Sequence, residues 1–253
     1  MIKNYKLNSK IIFSLIFTLI FTFFSYNAFA LTADEIINKR DNNEYFISAK
    51  IEAKMIIING GREMTKEMIS LSDGENALLR FTNPRDRGTK YLKKDDNLWM
   101  FFPEAEDVVK ISGHMMNQGM MGSDFSYQDI MESDKLTELY NFKLNEEVNY
   151  NGRECYLLEG TAVEGKDVSY YRRKVWVDKE RFIALKEELY AQSGRLLKIT
   201  TVEEVSEVNG RWFPVKSVME NKLRKDTKTE FIIEKIDFNP EIPENTFSLE
   251  NIQ

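Results

Sequence analysis

The sequence is poor in the residues that most often carry chemistry. It has one cysteine, one histidine and five prolines in 253 residues. A lone Cys155 excludes an internal disulfide, so stability has to come from a packed core. It lies beside Tyr156, Leu157 and Leu158 in a strand-like run, which fits a buried inert thiol better than a nucleophile. One histidine, His114, leaves no Cys/His cluster with zinc spacing. No G-x-S-x-G elbow, no G-x-x-x-x-G-K-[ST] loop and no G-x-G-x-x-G turn is present. The adjacent pairs Glu187-Glu188 and Glu203-Glu204 fall on expected strands, where neighbours point to opposite faces and cannot act on one bond. No catalytic residue, metal ligand or cofactor is expected, and the chain does not read as an enzyme.

The one long apolar run is at the start. Lys3, Lys6 and Lys10 precede Ile11 to Phe24, and Ala28-Phe29-Ala30 follows. That is the layout of a secretory signal peptide cut after Ala30. The run is short for a membrane span of about 20 residues. Residue 31 is Leu, so the acylated cysteine of a bacterial lipoprotein is not expected. The expected mature chain, 31–253, is soluble and periplasmic or secreted. Losing three lysines and no acid takes the net charge from −6 to −9. A negative chain of this kind is a poor partner for nucleic acid.

What remains reads almost wholly as β-structure. Ile47, Ala49, Ile51, Ala53, Met55 and Ile57 alternate with polar residues, a period of two. Similar runs are 62–72, 76–82, 153–163, 170–178, 183–190, 196–208, 212–220 and 229–238. Turn signals such as Asn59-Gly60-Gly61, Asn151-Gly152 and Asn209-Gly210 separate several of them. Short connections make consecutive strands antiparallel neighbours. About ten to twelve strands on one meander cannot stay flat, so a curled sheet, closed or nearly closed, or a sandwich is expected. There is little helix: a short segment from Ala33 to Arg40, and an insert from Gly113 to Phe142 where alternation stops. Helical character is expected at 126–132, with Ser126 and Asp129 as a capping pair, and at 135–142. Such an insert is placed to plug the concave face.

The insert carries the most distinctive composition. Five of the 11 methionines, Met115, Met116, Met120, Met121 and Met131, fall within it, with Gly119 and Gly122. Met is flexible and polarizable and suits variable apolar shapes. Core filling is one reading, and a Cu(I) site of thioethers with His114 is another. The favoured reading is a Met-rich lid over an apolar hollow, with Gly119 and Gly122 giving the lid backbone freedom. Trp99-Met100-Phe101-Phe102-Pro103 puts bulky groups on both faces of one strand, as expected of a strand buried on both sides.

Several of these residues also occur in a familiar order. Arg87-Gly88-Thr89, Tyr91-Leu92, Trp99-x-Phe101-x-Pro103 and Met121-Gly122-Ser123-Asp124-Phe125-Ser126-Tyr127-x-Asp129 resemble the LolA-like family of outer-membrane lipoprotein-sorting proteins, in the branch with an M-G-S-D-F-S-Y string. The stretch Glu104 to Asp107 is acidic where that branch is basic, and Gln128 stands where it has an acid. The resemblance implies an unclosed β-barrel whose concave face is covered by short helices. It also implies a carrier that shields lipid or lipoprotein acyl chains while they cross the cell envelope. The ligand-binding residues expected from both lines are Arg87, Trp99, Phe101, Met116, Met120, Met121, Phe125, Tyr127, Ile130 and Met131. Arg87 is expected near the mouth of the hollow. The expected partners are acyl chains and an inner-membrane exporter or transporter, with one chain acting alone. A lipid-sensing or chaperone subunit of an envelope complex, without transfer, is the alternative.

Overall fold

Residues 31–132, 135–166 and 168–252 are described by a computed structural model. The expected signal peptide, 1–30, lies outside the described residues. The chain from Thr32 onward starts with α1 (Ala33–Glu44), four residues longer than expected. Thr32 begins it through a reciprocal cap: the Glu35 amide donates to Thr32 Oγ1 at 3.2 Å and the Thr32 amide donates to Glu35 Oε2 at 2.8 Å. Ile36 and Ile37 are buried and fix its inner face.

Six strands follow: β1 (Ala49–Asn59), β2 (Arg62–Ser72), β3 (Ala77–Phe81), β4 (Lys90–Lys94), β5 (Asn97–Phe102) and β6 (Asp107–Ile111). The insert comes next, as 3-10 turns at Gly113–Asn117 and Met120–Gly122, then α2 (Tyr127–Met131) and α3 (Leu136–Leu139). Seven more strands complete the chain: β7 (Tyr140–Tyr150), β8 (Arg153–Ala162), β9 (Arg172–Asp178), β10 (Ala184–Tyr190), β11 (Leu196–Val208), β12 (Arg211–Asn221) and β13 (Thr227–Phe238).

All thirteen strands form one antiparallel sheet, in the order β6-β5-β4-β3-β2-β1-β13-β12-β11-β10-β9-β8-β7. The first and last strands pair, Met55 opposite Phe231 and Ile57 opposite Thr229. The sheet is not closed, and its two ends are the strands that flank the insert.

The curl can be read from α2. Tyr127 meets Tyr91 on β4, with ring centroids 5.7 Å apart. Two residues later, Asp129 accepts from Lys198 on β11 at 2.6 Å. Those strands are six places apart, about 29 Å on a flat sheet. One turn of helix touches both because the sheet wraps around it.

Two local expectations are corrected. The segment 135–142 is helical only at Leu136–Leu139, and Tyr140 already belongs to β7. Tyr140 and Phe142 turn inward while Asn141 and Lys143 are exposed, and Phe142 lies opposite Gly160. A side chain at 160 would put its Cβ 2.6 Å from the Phe142 ring, so the glycine makes room for it. A bulge between Leu144 and Glu146 breaks the alternation that would have marked β7 as a strand. The second correction concerns β5, which is not buried on both faces. Leu98 and Met100 are buried, whereas Trp99 and Phe101 are half-buried and Phe102 is exposed.

Candidate functional site

Strand registers fix which residues look into the hollow. Met55 and Ile57 on β1, Phe81 on β3, Tyr91 on β4 and Leu98 and Met100 on β5 form one apolar cluster. The insert lies on it. Met120 and Tyr127 are buried within the cluster, and Met116, Met121, Phe125, Ile130 and Met131 pack against it half-buried. Tyr91 Oη donates to Met121 Sδ at 3.3 Å and lies 3.4 Å from Tyr127 Oη. Burial pushes the Tyr91 phenol well above the usual tyrosine range, and the Tyr127 hydroxyl adds to the rise. Phe125 meets Phe231 on β13 edge-on, with centroids 6.0 Å apart.

The structure thus gathers seven of the ten expected binding residues on one surface. Trp99 and Phe101 are on the opposite face of β5, where Lys110 stacks over Trp99 at 5.5 Å and Lys90 over Phe101 at 5.3 Å. The alternation that buries Leu98 and Met100 necessarily turns them outward. Arg87 is exposed in the β3–β4 loop, and with Met121, Phe102 and Pro103 it borders an open cleft of 610 Å³. His114 is exposed, whereas Met120 is buried.

The insert is held by two carboxylates. Asp124 is buried and reaches β13, accepting from Thr229 Oγ1 at 2.9 Å and from Thr227 Oγ1 at 3.0 Å. Its amide donates back to Thr229 Oγ1 at 2.9 Å. Asp129 completes the expected capping box with Ser126 and also accepts from Tyr170 Oη at 2.5 Å and Lys198 Nζ at 2.6 Å. Lys198, Tyr170, Thr227 and Thr229 were not foreseen. They lie 41 to 105 residues from their partners, and no local pattern marks such a contact.

Gly119 serves compactness rather than freedom. A Cβ on Gly119 would sit 2.0 Å from the Ser123 carbonyl oxygen, so the loop closes only around glycine. Met120 N donates to Phe125 O at 2.8 Å across that closure. Gly122 has φ +85°, which glycine adopts without strain. Beneath this loop the protein's own side chains fill the apolar half, with Met55, Phe81 and Ile57 at most 1% exposed. Space lies at the margins of α2 instead. One cleft of 440 Å³ is bordered by Leu98, Ile111, Met116 and Met131, and another of 180 Å³ by Ile130, Phe46 and Ala77.

The opposite half of the concave face carries charged groups among apolar ones such as Leu189 and Val175. Lys198 on β11, Glu187 on β10 and Arg173 on β9 share the inward face through the pairings Leu189–Lys198 and Glu187–Val175. Arg173 donates to Glu187 at 3.0 Å and to Tyr140 Oη at 3.0 Å. Arg40 on α1 joins Asp41 at 3.0 Å and Glu44 at 2.5 Å. Burial pushes the Glu44 carboxyl up to about 7 against the pull of Arg40, with Glu187 and Asp41 adding to the rise. Cys155 is buried on the far side of the sheet, and burial pushes its thiol up to about 11, the state of an inert thiol.

Comparison with known proteins places this arrangement. No curated protein matches the chain. A DUF1329 family protein from Desulfovibrio piger is 26% identical with a TM-score of 0.80, covering 87% of this chain and 98% of its own. A putative outer membrane lipoprotein-sorting protein domain from Vibrio parahaemolyticus is 25% identical with a TM-score of 0.76, covering 87% and 97%. A LolA superfamily protein from Nitrosomonas europaea, 24% identical with a TM-score of 0.73 over 87% and 99%, shares the fold. A family model whose description reads "Uncharacterized protein" matches residues 73–253. The chain belongs to that family, and its fold is the unclosed, LolA-like sheet.

Proposed function

We propose that the protein is an exported carrier that holds the acyl chain of a lipid or lipoprotein between its Met-rich insert and the apolar side of its hollow. One observation carries the reading. Met116, Met121, Ile130 and Met131 stay half-exposed although they sit against an apolar core, and clefts open beside them. Flexible thioethers at the edge of such clefts accept chains of variable shape. The likeness to a lipoprotein-sorting domain supports the same reading.

The energetics give the role its sense. Each methylene moved out of water is worth about 0.8 kcal/mol, so a chain of about 16 carbons crossing water bare loses on the order of 12 kcal/mol. A protein wall removes most of that barrier, and no bond is made or broken. Because the apolar half is filled beneath the insert, a whole chain enters by displacing part of it. The two carboxylate anchors set how readily that happens.

The proposal includes a signal peptide at 1–30, cleavage after Ala30 and a domain of 31–253 working as one chain between membranes. An inner-membrane exporter is the proposed source of cargo. Among the described residues no helix is long and apolar enough to cross a membrane. The test is uptake of a fluorescent fatty acid by delipidated protein, followed by its transfer to acceptor vesicles. Saturable uptake with transfer supports the carrier, and absence of uptake removes it.

A further inference from the structure

The hollow is two-sided. Its β1–β5 half is mainly apolar, with the buried Lys66–Asp86 pair as an exception, and its β9–β11 half presents Arg173, Glu187 and Lys198. Over the polar half, α1, α3 and β9 enclose a cleft of 280 Å³ bordered by Arg40, Glu44, Glu132, Lys135, Arg173 and Leu139. Pockets that hold a whole small molecule run to about 300–1,000 Å³. This one is sized for part of a ligand. Glu132 and Leu139 are also walls of the 440 Å³ cleft that carries Met116 and Met131, so polar and apolar spaces adjoin.

The polar groups are not all satisfied. The Arg173 side chain is 8% exposed, and its Nε has no hydrogen-bond partner. Arg40 Nε is buried and equally unpartnered. Buried donors without acceptors are unfavourable, and an oxygen-bearing ligand group relieves that cost. Most of the charges around the cleft are nevertheless paired, and Lys135 lies over the Tyr45 ring at 4.6 Å. Arg40 faces Asp41 and Glu44, and Arg173 faces Glu187 with Glu132 at 4.0 Å. A net anion would meet these carboxylates, and a net cation would meet the guanidiniums. A group with one charge of each sign satisfies both sets.

The geometry points to a headgroup site here, one that takes the zwitterionic end of an amphiphile. The anionic oxygens lie toward Arg173 and Arg40 and the ammonium toward Glu132. The chain leaves past Leu139 along the methionine side. This deepens the carrier reading and rests on it.

The test uses three amphiphiles with one twelve-carbon chain, below their critical micelle concentrations: dodecylphosphocholine, dodecyl phosphate and dodecyltrimethylammonium. Delipidated protein is titrated with each by calorimetry. Dodecylphosphocholine is expected to bind at least tenfold tighter than the other two. Arg173→Met is expected to bring the three within threefold of one another. Should that variant fail to fold, Lys135→Met at the rim leaves the buried network intact and is expected to weaken dodecylphosphocholine at least threefold. Equal wild-type affinities, or a preference for dodecyl phosphate, overturn the headgroup site and leave the carrier reading standing. Failure of all three to bind overturns both.

Discussion

Lys198 on β11 places its ammonium 2.6 Å from the Asp129 carboxylate on α2, and this contact spans the hollow. On its other side the same helix meets Tyr91 of β4 through Tyr127. The insert is therefore a strut between two halves of a bent sheet as well as a cover. Removing one partner of a largely buried ion pair costs about 3 kcal/mol. Lys198→Met is expected to loosen the insert while the strands stay intact. Hydrogen exchange should rise across residues 113–131 and remain low in β1, β2 and β13. Unchanged protection of the insert would contradict the strut.

The closure at Gly119 gives a second prediction. Its missing Cβ leaves room for the Ser123 carbonyl oxygen, which would otherwise be 2.0 Å away. Gly119→Ala is expected to unseat Met120 from the core and lower the melting temperature. A domain of this size shifts by about 2–4 °C per kcal/mol, and a fall of at least that size is expected by calorimetry. Gly60→Ala, at a turn with no atom within 4 Å, should leave the insert's exchange rates unchanged.

A third concerns cargo. Met120 is 4% exposed and Phe125 packs on Phe231. A carboxylate at either place puts an unpaired charge against the apolar half. Met120→Asp and Phe125→Asp are expected to weaken fatty-acid uptake at least tenfold with the β circular-dichroism signal retained. Wild-type uptake by either would remove the insert from the binding surface.

A fourth follows from Glu44. Burial pushes its carboxyl up to about 7, above its value in the unfolded chain. The folded state then holds a proton that the unfolded state releases. The associated stability is present in acid and is lost as pH rises toward about 7. Glu44→Gln abolishes this titration. Its melting temperature relative to wild type should therefore rise between pH 5 and pH 7.5, measured by scanning calorimetry. A constant difference across that range would contradict the assignment.

Much of the fold was legible in the sequence because its signals are local. Alternation marked β1, and Asn-Gly pairs marked the turns at Asn151-Gly152 and Asn209-Gly210, where both residues have positive φ. The Ser126–Asp129 cap is a three-residue signal and was equally readable. β7 was missed because its bulge interrupts the period. β5 was read as buried on both faces because its residues are bulky on both, whereas the face of Trp99 and Phe101 is covered only by the lysine side chains of Lys110 and Lys90. The polar half of the hollow was invisible for another reason. Arg40, Tyr140, Arg173 and Glu187 come from four separate elements, and only the curl of the sheet brings them together.

The carrier role depends on an acyl chain lodging beside the methionine insert. Native mass spectrometry of the protein purified without detergent tests this most directly. A species heavier by one acyl-bearing molecule is expected, lost on organic extraction and restored by added fatty acid. A bare chain mass that added fatty acid does not change would contradict it.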